Sequence, residues 1–61
     1  GYSNMPISIG DDVQIGTHSY VLPGVTIYKG ALISTHSVVQ EDIPEYTIVA
    51  GTPARAVGIR N

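Results

Sequence analysis

Two identical triplets, Thr17-His18-Ser19 and Thr35-His36-Ser37, stand 18 residues apart in this 61-residue chain and are its best candidates for chemistry. Histidine titrates near neutral pH, so His18 or His36 is a candidate general base for taking a proton from a hydroxyl. A pair of imidazoles is also the beginning of a zinc site, although a catalytic zinc wants three protein ligands. The plainest alternative is a pair of repeated corner residues with no chemistry of their own. Lys29, Arg55 and Arg60 are the only side chains with a permanent positive charge, and so the only ones suited to gripping an anion.

The spacing of the triplets belongs to a longer order. Residues 9 to 44 divide without a gap into six hexads: IGDDVQ, IGTHSY, VLPGVT, IYKGAL, ISTHSV and VQEDIP. The first position is always β-branched and aliphatic (Ile9, Ile15, Val21, Ile27, Ile33, Val39), and the fifth is small or aliphatic (Val13, Ser19, Val25, Ala31, Ser37, Ile43). With Ile and Val at roughly one position in four, such a run arises by chance about once in seven hundred sequences, all six frames allowed for. A period of six fits neither a helical stripe, which recurs at three and four, nor a single strand, which alternates at two. It fits short strands joined by bends, and the third and fourth positions hold turn formers: Asp11-Asp12, Pro23-Gly24 and Lys29-Gly30. A chain that keeps turning one way stacks on itself as a β-solenoid, each rung burying its apolar face against the next.

Composition narrows the rest. Sixty-one residues make at most one small domain, which seldom buries enough core to stand without staples or partners. There is no cysteine, so disulfides are excluded, a reducing cytoplasm is the default setting and oligomerisation is the remaining support. A net charge of -2 with three basic residues argues against nucleic acid or an anionic membrane surface. No apolar run is long enough to span a bilayer, and no secretory signal pattern opens the chain.

Hexads opening Ile-Gly or Val-Leu, with a small fifth residue and then DIPEYTIVAGTPAR, resemble the C-terminal part of the hexapeptide-repeat acyltransferases. The nearest are the sugar and polysaccharide O-acetyltransferases of the galactoside, maltose and capsular type, and the resemblance covers positions 7 to 60. It implies an all-β fold, a left-handed parallel β-helix with three hexads per coil, assembled as a homotrimer with acetyl-CoA between subunits. The left hand rests on the resemblance alone, since ordinary crossovers are right-handed. Three hexads per coil stack residues 18 apart, at about the 4.8 Å strand spacing. Ile9 is then expected above Ile27, Ile15 above Ile33, Val21 above Val39, and one Thr-His-Ser triplet above the other.

The resemblance also implies site residues. Pantetheine contacts fall on Thr17 and Thr35, a further contact on Gln40 and Glu41, and the nucleotide phosphates on Arg55, with Arg60 adding to it. Two departures weaken coenzyme affinity: Gln14 stands where relatives often carry an aromatic, and Glu41 replaces a cation beside an anionic ligand. The family's catalytic histidine lies upstream of the stretch matching ISIGDD, which disfavours His18 and His36 as the base and points to a fragment or a degenerate relative. No metal is expected.

The expected organisation is an irregular lead-in over residues 1–8, with Tyr2 and Met5 covering the first coil, then about two coils over 9–44 and a cap and tail over 45–61. Position 45, where the next inward aliphatic is due, is Glu, so the solenoid is expected to stop there and Thr47 to Gly51 to cross its open end. The expected activity is acetyl transfer from acetyl-CoA to a sugar or polysaccharide hydroxyl, this chain supplying the acyl-CoA-binding part. The rivals are a non-catalytic trimeric scaffold and, further off, a zinc-dependent carbonic-anhydrase-like protein.

Overall fold

Each hexad folds as a two-residue strand followed by a tight turn. The computed structural model describes residues 5–60. The first six strands are β1 (Ser8–Ile9), β2 (Gln14–Ile15), β3 (Tyr20–Val21), β4 (Thr26–Ile27), β5 (Leu32–Ile33) and β6 (Val38–Val39). Two of the turns between them are closed by a backbone bond from the fifth residue back to the second, Val25 N–H to Leu22 O and Ala31 N–H to Tyr28 O, both 3.3 Å. Their fourth residues, Gly24 and Gly30, have φ of 85° and 74°. That is the arrangement of a type II turn, which wants proline at its second residue and φ above zero at its third, and Pro23-Gly24 supplies both. Asp12, His18 and His36 occupy the same fourth position with φ of 60°, 59° and 59°. Asp and His are among the few side chains that settle readily in this region.

Strands 18 residues apart pair in parallel. Ile9 lies against Ile27, Ile15 against Ile33 and Val21 against Val39, in three separate ladders visited in rotation. Gly10, Gly16 and Leu22 donate their N–H groups to the carbonyls of Ile27, Ile33 and Val39 at 2.8, 2.7 and 3.0 Å. The circuits approach so closely that a Cβ at Gly16 would stand 2.5 Å from Thr35 N, which explains the glycine there. The enclosed core is Val25, Ile27, Ala31, Ile33, Val39, Ile43 and Val49. Ile9 and Ile15 share the ladder phase yet remain exposed, so the expectation that every first-position residue is enclosed holds only from the second circuit down.

The lower end departs from expectation, because the ladder does not stop at position 45. The third corner is cut from six residues to four: Val39 and Ile43 are successive inward positions, and Ile43 bridges Ile27, sixteen residues above it. At this short corner the Asp42 carboxylate accepts the Thr26 N–H at 2.8 Å. With the frame shifted by two, β7 (Thr47–Ala50) does not cross the end as a cap. It pairs in parallel below β5, Ile33 over Val49. A final strand, β8 (Arg55–Ile59), returns antiparallel to β7 with an irregularity between Ile48 and Val49.

The lead-in is partly ordered into the ladder as well. Ser8 belongs to β1, and the Met5 carbonyl accepts the Gly24 N–H at 3.1 Å. Tyr2, expected to help cover the first circuit, lies outside the described residues, as does Asn61. No helix among the described residues is long and apolar enough to cross a membrane.

Candidate functional site

The two triplets meet as the 18-residue offset requires. The His18 and His36 rings stack face to face, centroids 5.0 Å apart and planes 3° from parallel. The His36 N–H donates to Thr17 O at 3.0 Å, so the two corners are tied through the backbone. Behind the rings, both serines are spent on structure. Ser19 Oγ and Ser37 Oγ donate to the Ser34 carbonyl at 2.8 and 2.7 Å, and the Ser37 N–H donates to Ser19 Oγ at 3.3 Å. Ser37 can therefore be fully buried without an orphaned hydroxyl, and no buried side-chain polar atom among the described residues lacks a partner.

Thr17 and Thr35 stand at the third positions of these same corners, exposed and one above the other. Thr35 borders a shallow hollow with Gln14, Leu32 and Ser34. Beneath His36 lies Thr52, whose hydroxyl donates to His36 O at 3.3 Å. Thr52 escaped the sequence reading because it sits sixteen residues below His36. The signal was available: Ile43 and Val49 are six apart, so the ladder resumes with a two-residue slip.

Gln40 and Arg55 come together in a second place. With Glu41, Asp42, Pro44, Thr47 and Ala56 they line a cleft of about 290 Å³ at the lower end of the core, floored by Ile43 and Val49. Two carboxylates against one guanidinium give this cleft a formal charge of -1. The segment from Thr52 to Arg55 runs from the His36 corner to this cleft, with Thr52 bonded to His36 O and the Ala54 N–H donating to Val38 O at 2.8 Å. Arg60 does not line the cleft. Its Nη1 donates instead to Asp12 O at 2.7 Å and Gly30 O at 3.1 Å, at a different corner.

The arrangement offers hydroxyls and backbone groups at one stacked corner and a cation in a separate cleft. It offers little to a metal, since no group of three or more His, Cys, Asp or Glu is placed to hold one among the described residues. The stacked imidazoles are also accounted for locally, because each occupies a left-handed corner position that histidine tolerates.

Comparison with known proteins agrees with the ladder. Residues 6–41 match the model of the bacterial transferase hexapeptide family (six repeats). A 2,3,4,5-tetrahydropyridine-2,6-dicarboxylate N-acetyltransferase of Staphylococcus aureus (strain bovine RF122 / ET3-1) is 44% identical over 55 residues, which is 90% of this chain and 23% of that protein. A crystal structure of a maltose O-acetyltransferase from Clostridium difficile 630 superposes with a TM-score of 0.88 at 39% identity, covering 92% of this chain and 30% of that one. A galactoside acetyltransferase in complex with coenzyme A gives 0.89 at 42% identity, covering 93% and 28%. The chain thus spans less than a third of the length of each. Its repeat phase, its parallel register and these likenesses agree on one assignment, and the chain belongs to the bacterial transferase hexapeptide family.

Proposed function

We propose that this chain is the coenzyme-binding stretch of an acetyl-CoA-dependent acetyltransferase, wound as a left-handed parallel β-helix and working as a homotrimer. The observation that carries the proposal is the exposed pair Thr17 and Thr35 at two corners tied through the backbone, with Arg55 in the cleft and close in sequence to Thr52, in a chain that superposes on a coenzyme A complex over 93% of its length. The coenzyme supplies an activated acetyl thioester. Thr17 and Thr35 line the path of its pantetheine arm, Gln40 adds a polar contact, and Arg55 meets the phosphates. Glu41 and Asp42 oppose the same anion, so the site binds more weakly than one with a cation in their place.

The proton-accepting step is assigned outside this stretch, because His18 and His36 are accounted for as corner residues. The acceptor's lone pair attacks the thioester carbonyl, its proton passes to a base, and the coenzyme leaves as its thiol. A sugar hydroxyl is the acceptor favoured by the likeness to the maltose and galactoside enzymes. An amine acceptor is the second reading, favoured by the N-acetyltransferase relative. The absence of cysteine supports a cytoplasmic setting.

Calorimetry of the intact protein tests the proposal. Saturable coenzyme A binding, weakened about tenfold or more by Arg55→Ala, is expected. No binding at millimolar coenzyme would leave a trimeric scaffold as the better account, and assays with sugar and amino acceptors separate the two acceptor classes.

A further inference from the structure

We infer that Arg60 is a positioning residue for Arg55, a latch that fastens β8 to the ladder, and not itself an anion ligand. This rests on the coenzyme reading of Arg55 given above. At one corner Arg60 reaches three circuits: its Nη1 donates to Asp12 O and Gly30 O at 2.7 and 3.1 Å, and its backbone N–H donates to Tyr46 O at 2.6 Å. Asp12, Gly30 and Tyr46 are the left-handed residues of successive circuits, with φ of 60°, 74° and 57°. Tyr46 is a bulky side chain in a region it seldom adopts, and its ring lies over Gly30, where any Cβ would collide with it. Arg60 thus closes the corner where the backbone most needs holding.

The strand it anchors lies at the edge of its sheet, paired with β7 on one side. Arg55, Ala56, Val57 and Ile59 are all exposed, and β8 pairs with β7 in a register that is broken once, its Arg55 end also held by the Ala54 N–H to Val38 O. An edge strand with an exposed face frays at an end that is not tied. Arg55 is the first residue of β8 and Arg60 follows its last, so the latch fixes the strand that carries Arg55 to the cleft. A guanidinium suits this task because the two N–H bonds of Nη1 are fixed in one plane and address both carbonyls, whereas a lysine ammonium is a freely rotating donor.

The test uses the intact protein with Arg60→Ala, Arg60→Lys, Arg55→Ala and the Arg55→Ala/Arg60→Ala pair. Amide exchange read by mass spectrometry is expected to quicken about tenfold over residues 55–59 in Arg60→Ala, with residues 31–34 unchanged and Arg60→Lys intermediate. Coenzyme A affinity is expected to fall about fivefold in Arg60→Ala, with the double variant no weaker than Arg55→Ala alone. Losses that multiply, with exchange unaltered, would make Arg60 a direct ligand and overturn the inference. If the unsubstituted protein binds no coenzyme, the assignment of Arg55 fails and the positioning role with it. The exchange contrast then shows separately whether the latch exists.

Discussion

The first circuit and the second carry the same residue types in the same phase and fare differently. Ile9 is 52% exposed and Ile27 directly beneath it 0%; Ile15 is 41% exposed and Ile33 beneath it 1%. Both members of each pair are isoleucines at the first position of a hexad. The difference is the rung above, which the second circuit has and the first lacks among the described residues. Burial in this fold therefore comes from the neighbouring circuit and not from the hexad itself. Enclosing an aliphatic side chain of this size is worth about 1.5–3 kcal/mol, so the lower half of the ladder provides most of the hydrophobic stabilisation.

The sharpest way to break this comparison is to truncate one side chain in each circuit. Ile33→Ala removes a residue enclosed between Ile15 and Val49, and a loss of about 3 kcal/mol is expected. Ile15→Ala, at the same ladder position one circuit up, is expected to cost less than half of that. Urea denaturation of both variants decides. Equal losses would mean that something covers the first circuit in solution.

Next in size is Gly30→Ala, expected to cost about 2 kcal/mol because the new methyl group meets the Tyr46 ring at a φ of 74°. Gly24 has a similar φ of 85° but only the Met5 side chain nearby, so Gly24→Ala is expected to cost about half as much. The pair separates backbone strain from crowding, and equal melting temperatures would show that Tyr46 yields freely.

How much of this was legible in the sequence follows from the same physics. The ladder from Ile9 to Val39 was, because a strict period of six leaves one way to enclose the aliphatic positions. The stacking of His18 on His36 came with it once three hexads were given to each circuit. The lower end was misjudged because a fixed period was carried through a corner that is two residues short. That corner is held by a side-chain hydrogen bond, from Thr26 N–H to Asp42, and by backbone bonds of Ile43, which period counting does not register. The frame slip hid Thr52 and turned β7 from an expected cap into a rung. On the strength of the resemblance Arg60 is expected to add to Arg55, whereas the two stand at opposite ends of β8 and Arg60 turns to Asp12 and Gly30.

The short corner can itself be tested. Asp42→Ala leaves the Thr26 N–H without its carboxylate, and a loss of about 1 kcal/mol is expected, at the low end for a charged partner because the bond is exposed. Asp42→Asn keeps an acceptor oxygen and is expected to recover most of it. Asp11, which holds the equivalent part of a full-length corner by its backbone carbonyl at 2.8 Å from Gly30 N, is expected to tolerate alanine within about 0.5 kcal/mol. Thermal melts of the three variants rank them, and a large loss at Asp11 would erase the distinction between long and short corners.

The smallest effect is expected where the residue type looked most chemical. Asparagine adopts the left-handed region as readily as histidine, so His36→Asn preserves the corner, its backbone bond to Thr17 and the buried Ser37 behind it. It removes one ring from an exposed stack, and stability is expected to change by about 0.5 kcal/mol or less. Acetyl transfer by the intact protein is expected to stay within about threefold, whereas losing a general base costs about a hundredfold or more. His18→Asn is expected to behave alike, because the two histidines share one φ, one corner and one stack. If turnover instead collapses in only one of them, the symmetry of the triplets is broken by function, and that imidazole takes the base role assigned here to a group outside the stretch.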